Sequence, residues 1–235
     1  MSGWQGTAVA PDGTHHARDG VPLYGARFEE VLSFHEPGLA AARDVTGAFH
    51  IRPDGTPAYG RRFRRTFGFY EGRAAVEDHS GALHIDAEGR DAYLARWTWC
   101  GNFQEGRCVV REGASYLHID PAGAPAYAER WRYTGDFREG LAVALDERGW
   151  YRFIDAQGHS PSAERFVDLD VFHKGFARAR DSGGWFHLRR SGQQAYARRF
   201  AAVEPFYNGR ARCEALDGAL VVIDESGEET LRLRK

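Results

Sequence analysis

The sequence predicts an all-β fold of about seven repeats, each 34–35 residues long and built from short antiparallel strands. Three observations support this prediction: turn glycines recur at a near-constant interval, an arginine-aromatic pair recurs between them, and no segment keeps a helical period over 11 or more residues. The turn glycines are Gly20, Gly55, Gly89, Gly123, Gly158, Gly192 and Gly227, at intervals of 35, 34, 34, 35, 34 and 35 residues. Regularity over this length indicates one repeat domain spanning residues 1–235.

Each repeat contains the signals of about three short strands joined by tight turns. In LHID at 83–86 the residues alternate, so the two apolar side chains are expected on one face and His84 and Asp86 on the other. Asp86 and Gly89 occupy the first and last positions expected of a type I turn. A second glycine follows a phenylalanine, as in FYEG at 69–72, and small apolar residues come next.

The lengths of the two terminal segments favour a closed ring over an open rod. Six full repeats separate Gly20 from Gly227, and the 19 residues before and 8 after supply most of a seventh. A propeller-like closed toroid can build its seventh repeat from both termini, which removes exposed sheet edges. The alternative, an open β-solenoid, would need polar caps, whereas ALVVID at 219–224 is as apolar as the interior repeats.

Composition and charge narrow the classes of function. A formal net charge of −2 argues against a protein that binds nucleic acid or a membrane surface through its charge. The three cysteines lack CxxC spacing, so they predict neither a disulfide framework nor a zinc site. No signal peptide or transmembrane run is recognisable, and we expect a cytoplasmic monomer.

Two stretches, GWYRFIDAQG at 149–158 and GGWFHLRRSG at 183–192, carry the likeness to a known family, together with turns such as FREG at 137–140. They resemble the WG-repeat family, whose units run G-x-W/Y-x-hydrophobic-I-D-x-x-G, then an aromatic residue, then F-x-x-G-x-A-x-V. The resemblance spans essentially the whole chain and implies a β-repeat architecture with a role as an interaction or accessory module. The chain departs from the family pattern by placing histidine before Ile-Asp, as at His84.

Histidines recur five residues before the turn glycines and form the first candidate site. They are His15, His50, His84, His118 and His187, of which the candidate metal ligands are His50, His84, His118 and His187; Phe153 and Val222 replace the histidine in two repeats. One hypothesis is that these imidazoles converge on a divalent metal or act as acid–base groups. The other is structural, because identical positions on a ring lie far apart unless they line a narrow axis. Each imidazole would then bond to a neighbouring repeat's backbone or to an aspartate of its own strand, Asp86 or Asp120.

Arginines that precede an aromatic residue recur once per repeat, with two roles open. They are Arg27, Arg62, Arg96, Arg130, Arg165 and Arg199. A structural role would pair them with the turn glutamates of adjacent repeats, Glu36, Glu71, Glu105 and Glu139. The alternative is a basic rim for an anionic ligand or peptide carboxylate, formed by Arg96, Arg130 and Arg165. The recurring tyrosines, Tyr24, Tyr59, Tyr93, Tyr127 and Tyr196, are expected to pack between repeats with their hydroxyls in water.

The fifth repeat departs most from the pattern, and an exception to a repeated sequence calls for a cause other than the fold. Its histidine is Phe153, its tyrosine is Ser162, and the next turn glutamate is Lys174. The candidate catalytic residues near this turn are Asp168, Asp170, His173 and Lys174. Two carboxylates, an imidazole and an ammonium group suit acid–base work or a divalent cation. The plain alternative is a solvated edge on which Lys174 pairs with Asp170.

These observations predict a β-repeat binding or accessory module that presents a concave or axial surface to a protein, peptide or small-molecule partner. The competing hypothesis is a small cytosolic enzyme that uses a metal held by the histidines, or the charged group of the fifth repeat. A lectin-like sugar binder is a third hypothesis, compatible with the repeated Trp and Tyr. No P-loop, dinucleotide fingerprint, HExxH or nucleophile elbow occurs, so a divalent metal is the one cofactor considered.

Overall fold

The structure, a computed structural model, describes residues 3–234 of the 235-residue chain. These residues form 22 strands and no helix, and the strands make seven antiparallel sheets. The chain divides into two compact units, Met1–Ala114 with His118–Pro125 and Ser115–Leu117 with Ala126–Lys235. Both units consist of the same repeated sheet; the single domain expected over residues 1–235 stays a prediction.

The N-terminal unit holds the first three sheets and most of the fourth. Sheet 1 is β1 (Ala8–Val9), β2 (His16–Arg18) and β3 (Val21–Pro22); sheet 2 is β4 (Glu30–Val31), β5 (Ala40–Asp44) and β6 (Gly47–Ile51); sheet 3 is β7 (Arg65–Tyr70), β8 (Arg73–Asp78) and β9 (Gly81–Ile85). Sheet 4 is β10 (Trp99–Gln104), β11 (Arg107–Glu112) and β12 (Ser115–Ile119), and the division between the units falls within β12.

The C-terminal unit continues the pattern. Sheet 5 is β13 (Tyr133–Thr134), β14 (Ala142–Leu145) and β15 (Tyr151–Ile154); sheet 6 is β16 (Asp168–Leu169), β17 (Phe176–Asp181) and β18 (Gly184–Arg189); sheet 7 is β19 (Ala202–Val203), β20 (Arg210–Glu214), β21 (Leu220–Asp224) and β22 (Glu229–Arg234). The last strand pairs with β21 as a fourth strand, and sheet 1 is built from strands of the N-terminal segment. The predicted all-β repeat of three-stranded antiparallel sheets is confirmed.

Tight glycine turns join the second and third strands of a sheet. Gly81 begins β9 at φ 133°, and a Cβ atom added there would lie 2.9 Å from the carbonyl oxygen of Trp97. Glycine is therefore required by both the backbone angle and the close approach of the following chain. The register that results places Ala75 opposite His84 and Val76 opposite Leu83.

Burial differs from the expected alternation. Leu83, His84 and Ile85 are all fully buried, because both faces of β9 are covered. Tyr93 and Phe103 lie against His84, with ring centroids 5.8 and 4.8 Å away. The alternation predicts which way each side chain points, but a sheet packed on both faces buries both sets.

Successive repeats pack a tyrosine ring on the next turn glycine. A Cβ atom added to Gly89, at φ 78°, would lie 2.6 Å from a ring carbon of Tyr59. The same contact joins Tyr24 with Gly55, Tyr93 with Gly123, Tyr127 with Gly158 and Tyr196 with Gly227. The turn glycine thus has two roles, the positive φ of the turn and a flat seat for an aromatic ring.

Candidate functional site

A histidine, a tyrosine and a backbone carbonyl form a recurring buried triad. The Nδ1 atom of His84 lies 2.6 Å from the Tyr93 hydroxyl, and its Nε2 atom lies 3.0 Å from the carbonyl oxygen of Gly101. The same triad occurs at His16 with Tyr24 and Leu32, at His50 with Tyr59 and Phe67, and at His187 with Tyr196 and Glu204. In each case the carbonyl belongs to the first-strand region of the next sheet, so the triad links two repeats.

The partners fix the protonation of each ring. A carbonyl oxygen only accepts, so Nε2 carries the hydrogen, and Nδ1 accepts a hydrogen bond from the tyrosine hydroxyl. Burial lowers the pKa of His50, His84 and His187 to about 4 and raises the pKa of Tyr93. These imidazoles are therefore neutral at pH 7 with both nitrogens engaged, which suits a structural link rather than acid–base chemistry.

The structure does not bring the candidate metal ligands together. His50, His84, His118 and His187 lie in β6, β9, β12 and β18, one in each of four sheets. Within residues 3–234 no group of three or more His, Cys, Asp or Glu side chains is placed to hold a metal ion. Neutral, fully bonded rings such as His84 have no lone pair left for a metal, so the residues do not fit a bound cation.

In the first repeat the buried histidine is His16 rather than the expected His15. His16 is 1% exposed and makes the triad, whereas His15 contacts Thr14 and Asp12. The cause is a two-residue turn at Asp19 and Gly20, whose φ angles of 50° and 78° are typical of a type I′ hairpin. This turn is shorter than those of the other repeats, so counting back five residues from Gly20 reaches the wrong residue.

The tyrosine hydroxyls also differ from expectation. The Tyr93 hydroxyl is not in water; it donates to His84, and Tyr93 as a whole is 8% exposed. Asp86, one expected partner of His84, instead accepts hydrogen bonds from the backbone of Glu88 and Arg90 in its own turn. The histidine thus bonds across repeats while the aspartate stabilises the turn.

Among the recurring arginines, Arg96 closes its own loop and pairs with an aspartate instead of a turn glutamate. Arg96 donates to the carbonyl oxygens of Leu94 and Ala95 at 3.0 and 3.1 Å, to Ser80 at 3.0 Å, and to the Asp91 carboxylate at 2.5 Å. Five donors in one planar group allow this local clasp.

The other two arginines of the expected ligand-binding rim also have partners within the protein. Arg130 donates to the carbonyl oxygens of Ala128 and Glu129, and Arg165 lies 3.9 Å from the carboxylate of Asp146. The structure supplies protein partners for them and for Arg96, and ligand binding at this rim stays a prediction.

The turn glutamates do link adjacent repeats, but to backbone amides. Glu71 accepts a hydrogen bond from the N–H of Gly106 at 2.9 Å, and Glu139 accepts one from Gly175 at 3.3 Å. The expected Arg–Glu link between repeats is therefore wrong for Glu71, which accepts from a backbone amide instead. At the equivalent turn of sheet 6, no residue between 3 and 234 accepts a hydrogen bond from Lys174, whose ammonium lies 4.5 Å from the centre of the Tyr207 ring.

The structure gives Asp170 and Lys174, two of the four candidate catalytic residues, different partners. Asp170 pairs with Arg178, whose Nε atom is 2.5 Å away, so the expected pair of Asp170 with Lys174 is not formed. Asp168 accepts a hydrogen bond from the backbone of Leu169. Asp170 and the exposed His173 line a common cavity.

This cavity lies between sheets 6 and 7 and has a volume of about 370 Å³. Its walls are formed by Asp170, Val171, His173, Phe176, Arg178, His187, Pro205 and Phe206. The guanidinium of Arg178 is held in place by Asp170 and by the carbonyl oxygen of Val203 at 3.1 Å. A fixed ion pair beside apolar and aromatic walls is an arrangement that binds a ligand with an apolar body and a polar end.

Arg178 is the residue of this site that sequence reasoning missed. It stands opposite His187 in the β17–β18 register, at the position of Ala41, Ala75 and Val143 in earlier sheets. A small apolar residue fits against the sheet there, whereas a guanidinium needs an ion-pair partner. The change from AAV-type to RAR-type sequence was the available signal.

The three cysteines offer no reactive group. Cys100, Cys108 and Cys213 are buried and form no disulfide with one another. Burial raises the pKa of the Cys100 and Cys213 thiols, which keeps them protonated. In the part of the chain from residue 3 to 234, no helix is long and apolar enough to cross a membrane.

No family model and no curated protein matches this sequence. Solved structures do resemble the fold. BamB from Moraxella catarrhalis has a TM-score of 0.52 at 12% identity, covering 97% of this chain and 84% of its own. The computationally designed Ika8 protein has a TM-score of 0.51 at 13% identity, covering 96% and 82%. The WD40 β-propeller domain of Doa1 has a TM-score of 0.40 at 12% identity, covering 94% and 90%. BamB is a β-propeller, and the likeness to it shows a common fold of repeated antiparallel sheets.

Proposed function

We propose that this protein is a β-repeat binding module that takes a protein, peptide or small-molecule partner at the cavity between sheets 6 and 7. One observation carries the proposal: a cavity of about 370 Å³ with a preformed Asp170–Arg178 pair, beside the repeat that departs most from the pattern. Ligand sites are typically concave, mostly apolar and equipped with a few fixed polar groups.

The chemistry of the walls favours binding over catalysis. Phe206 and Pro205 supply apolar surface, and the Asp170–Arg178 pair supplies a carboxylate and a guanidinium already held in position. Preformed polar groups lower the ordering cost of binding. A partner side chain with an apolar stem and a hydrogen-bonding end matches this combination. Among residues 3–234 no cluster of metal-ligating side chains supports the competing hypothesis of a metal-dependent enzyme.

We also propose how the seven sheets are arranged. We infer a propeller-like closed toroid, supported by the seven successive antiparallel sheets and by the β-propeller fold of BamB. Small-angle X-ray scattering tests it, because a compact chain of this length has a radius of gyration of about 18 Å. An open solenoid of seven sheets spaced about 10 Å apart would be a rod about 70 Å long. The scattering curve of a rod gives an elongated pair-distance distribution, whereas that of a compact toroid does not. WG-repeat membership, cytoplasmic location and a monomeric state stay predictions.

Selection from a random peptide display library tests the binding site. Val171 and Val167 are both 42% exposed, and of the two Val171 lines the cavity. Val171→Trp fills the cavity from its edge, and Val167→Trp adds the same ring outside it. Peptides selected on the wild-type protein are expected to lose binding to Val171→Trp and to keep binding to Val167→Trp.

A second variant tests the polar half of the site. Arg178→Met keeps most of the length of the side chain and removes the guanidinium, which leaves Asp170 without its partner. Peptides that use the ion pair should bind this variant at least tenfold more weakly, a difference of about 1.4 kcal/mol. Failure to select any peptide, or selected peptides that bind both tryptophan variants equally, would contradict the proposed site.

A further inference from the structure

Gly192 is the turn glycine of sheet 6. It follows the fifth repeat, which has Ser162 in place of the recurring tyrosine. A Cβ atom added to Gly158 would lie 2.7 Å from the ring of Tyr127, and equivalent contacts of 2.3–2.7 Å occur at Gly55, Gly89, Gly123 and Gly227. At Gly192 the only atom within 4 Å is Cβ of Ser162, at 3.8 Å. The glycine seat is retained there, but the ring that fills it in five other repeats is absent.

The space left by the missing ring is a narrow cavity in the C-terminal unit. Its lining includes Phe153, Ser162, Phe172, Leu188 and Gly192. About 310 Å³ around these residues is free of atoms, the open mouth included, but only about 10 Å³ is reachable by the centre of a water molecule. The site is therefore a thin slot with room for about one water.

The floor of the slot differs in chemistry from the other repeats. Where His84 or His187 would accept a hydrogen bond from a tyrosine hydroxyl, the fifth repeat has Phe153, packed 4.5 Å from Phe172 between ring centroids. Phe153 has no hydrogen-bond acceptor, and Leu188 beside it is fully buried and apolar. A hydroxyl delivered to this depth would lose its hydrogen bond to water without replacement.

We propose that this slot is a binding site for a phenyl ring without a hydroxyl group. The five tyrosine-filled repeats show that the backbone accepts a ring between the turn glycine and the preceding loop. The change of histidine to Phe153 selects an apolar ring over a phenol. The ring belongs either to a free aromatic molecule or to a phenylalanine side chain of a peptide.

Entry of a ring requires the mouth of the slot to widen. The mouth is formed by exposed residues, Ser160, Pro161 and Glu164 of the loop and Arg190 across from it. The Arg190 guanidinium reaches to 3.3 Å from where a Cβ of Gly140 would be, so a flexible side chain lies across this edge. Exposed groups can move outward without exposing the buried floor, and Gly158 to Ser162 is as long as Gly123 to Tyr127.

The site is independent of the proposed cavity between sheets 6 and 7, because the two share no lining residue. Filling one leaves the walls of the other in place. The two proposals can therefore fail separately.

Fluorine NMR with fluorobenzene as the probe tests the proposal. The wild-type protein should show saturable binding. Ser162→Phe supplies the ring from within the chain, so binding should be lost and the melting temperature should rise by about 2–4 °C. Ala163→Phe places the same ring on an exposed neighbour that does not line the slot, and binding should persist. Val171→Trp should also leave fluorobenzene binding unchanged.

Two further probes define the ligand. 4-Fluorophenol should bind about 5- to 150-fold more weakly than fluorobenzene, because its hydroxyl would be buried without an acceptor. Tighter binding of N-acetyl-4-fluorophenylalanine amide would assign the ring to a peptide side chain, and preference for fluorobenzene would assign it to a small molecule.

Two results would contradict a phenyl-binding slot. No saturable binding to the wild-type protein, or undiminished binding to Ser162→Phe, would overturn it. If Ser162→Phe does not fold, Ser162→Leu replaces it; this variant fills part of the slot and must weaken fluorobenzene binding.

Discussion

The repeats around His84 and Phe153 share a strand order and a loop length, yet their interiors differ. The first joins two sheets through a buried imidazole bonded to Tyr93 and to the carbonyl of Gly101. The second places an apolar ring at the same position and leaves the tyrosine site to Ser162. The histidines therefore recur because they join repeats, and the repeat without a histidine has an unfilled slot beside Gly192.

Acid is expected to lower the stability of the repeats that bury a histidine but not that of the repeat with Phe153. This is the largest of the predicted effects. The folded pKa of His50, His84 and His187 is about 4, below the usual 6.5. As the pH falls below 6.5 the unfolded chain takes up protons that the folded chain does not, so the free energy of unfolding decreases down to about pH 4. Each pKa unit corresponds to about 1.4 kcal/mol per histidine. Urea unfolding at several pH values measures the slope.

His84→Phe, which copies the fifth repeat, is the control for that slope. It removes one titrating ring, so stability should depend less steeply on pH between 6.5 and 4.5, even if it is lower throughout. An unchanged slope would mean that His84 does not titrate as its burial implies.

Removing the tyrosine ring that packs on the turn glycine should produce the next largest difference in stability between the two repeats. Tyr93→Ala empties a buried site against Gly123 and leaves His84 without its donor, so a loss of about 3–5 kcal/mol is expected. Ser162→Ala removes a hydroxyl that accepts the Glu164 N–H at 3.1 Å and should cost about 1.5 kcal/mol or less. Chemical denaturation of both variants measures the difference, and similar losses would contradict the triad as a structural link.

The repeat itself was predictable because glycine turns and aromatic positions obey local rules. The spacing of Gly89 and Gly123 follows from turn geometry, and the strands lie between these turns as expected. The partners of the repeated side chains were not predictable. His84 bonds to a carbonyl 17 residues away and Glu71 to an amide 35 residues away, and backbone groups carry no sequence signal.

The candidate site was predicted in part. The exception at the fifth repeat led to Asp170 and His173, which do line a cavity. Lys174 and Asp168 do not line this cavity, because strand alternation gives the direction of a side chain but not its neighbour; the catalytic role of the four residues stays a prediction. Arg178 was passed over since it fitted no motif, although it holds the carboxylate of Asp170.

Restoring the missing pair should show that histidine and tyrosine act together. Phe153→His alone buries an imidazole whose tyrosine partner is absent, and a loss of about 1–3 kcal/mol is expected. Combined with Ser162→Tyr, the same histidine gains its hydroxyl donor, and the Asp170 carbonyl lies at the position that accepts from Nε2 in other repeats. A double-mutant cycle in urea should give a favourable coupling of at least about 1 kcal/mol. Additive effects would mean that the fifth repeat cannot adopt the triad.

The turn residues provide the smallest contrast. Glu71→Ala removes the acceptor of the Gly106 N–H and should cost about 0.5–1.5 kcal/mol. Lys174→Ala, at the equivalent turn, removes a contact between an exposed ammonium and the Tyr207 ring and should cost about 0.5 kcal/mol or less. Both residues have positive φ, 48° and 53°, so the substitution imposes the same backbone strain on each turn. The difference in melting temperature between the two variants therefore reports how far the glutamate–amide link exceeds the lysine–ring contact, and equal losses would show that this link does not join the repeats.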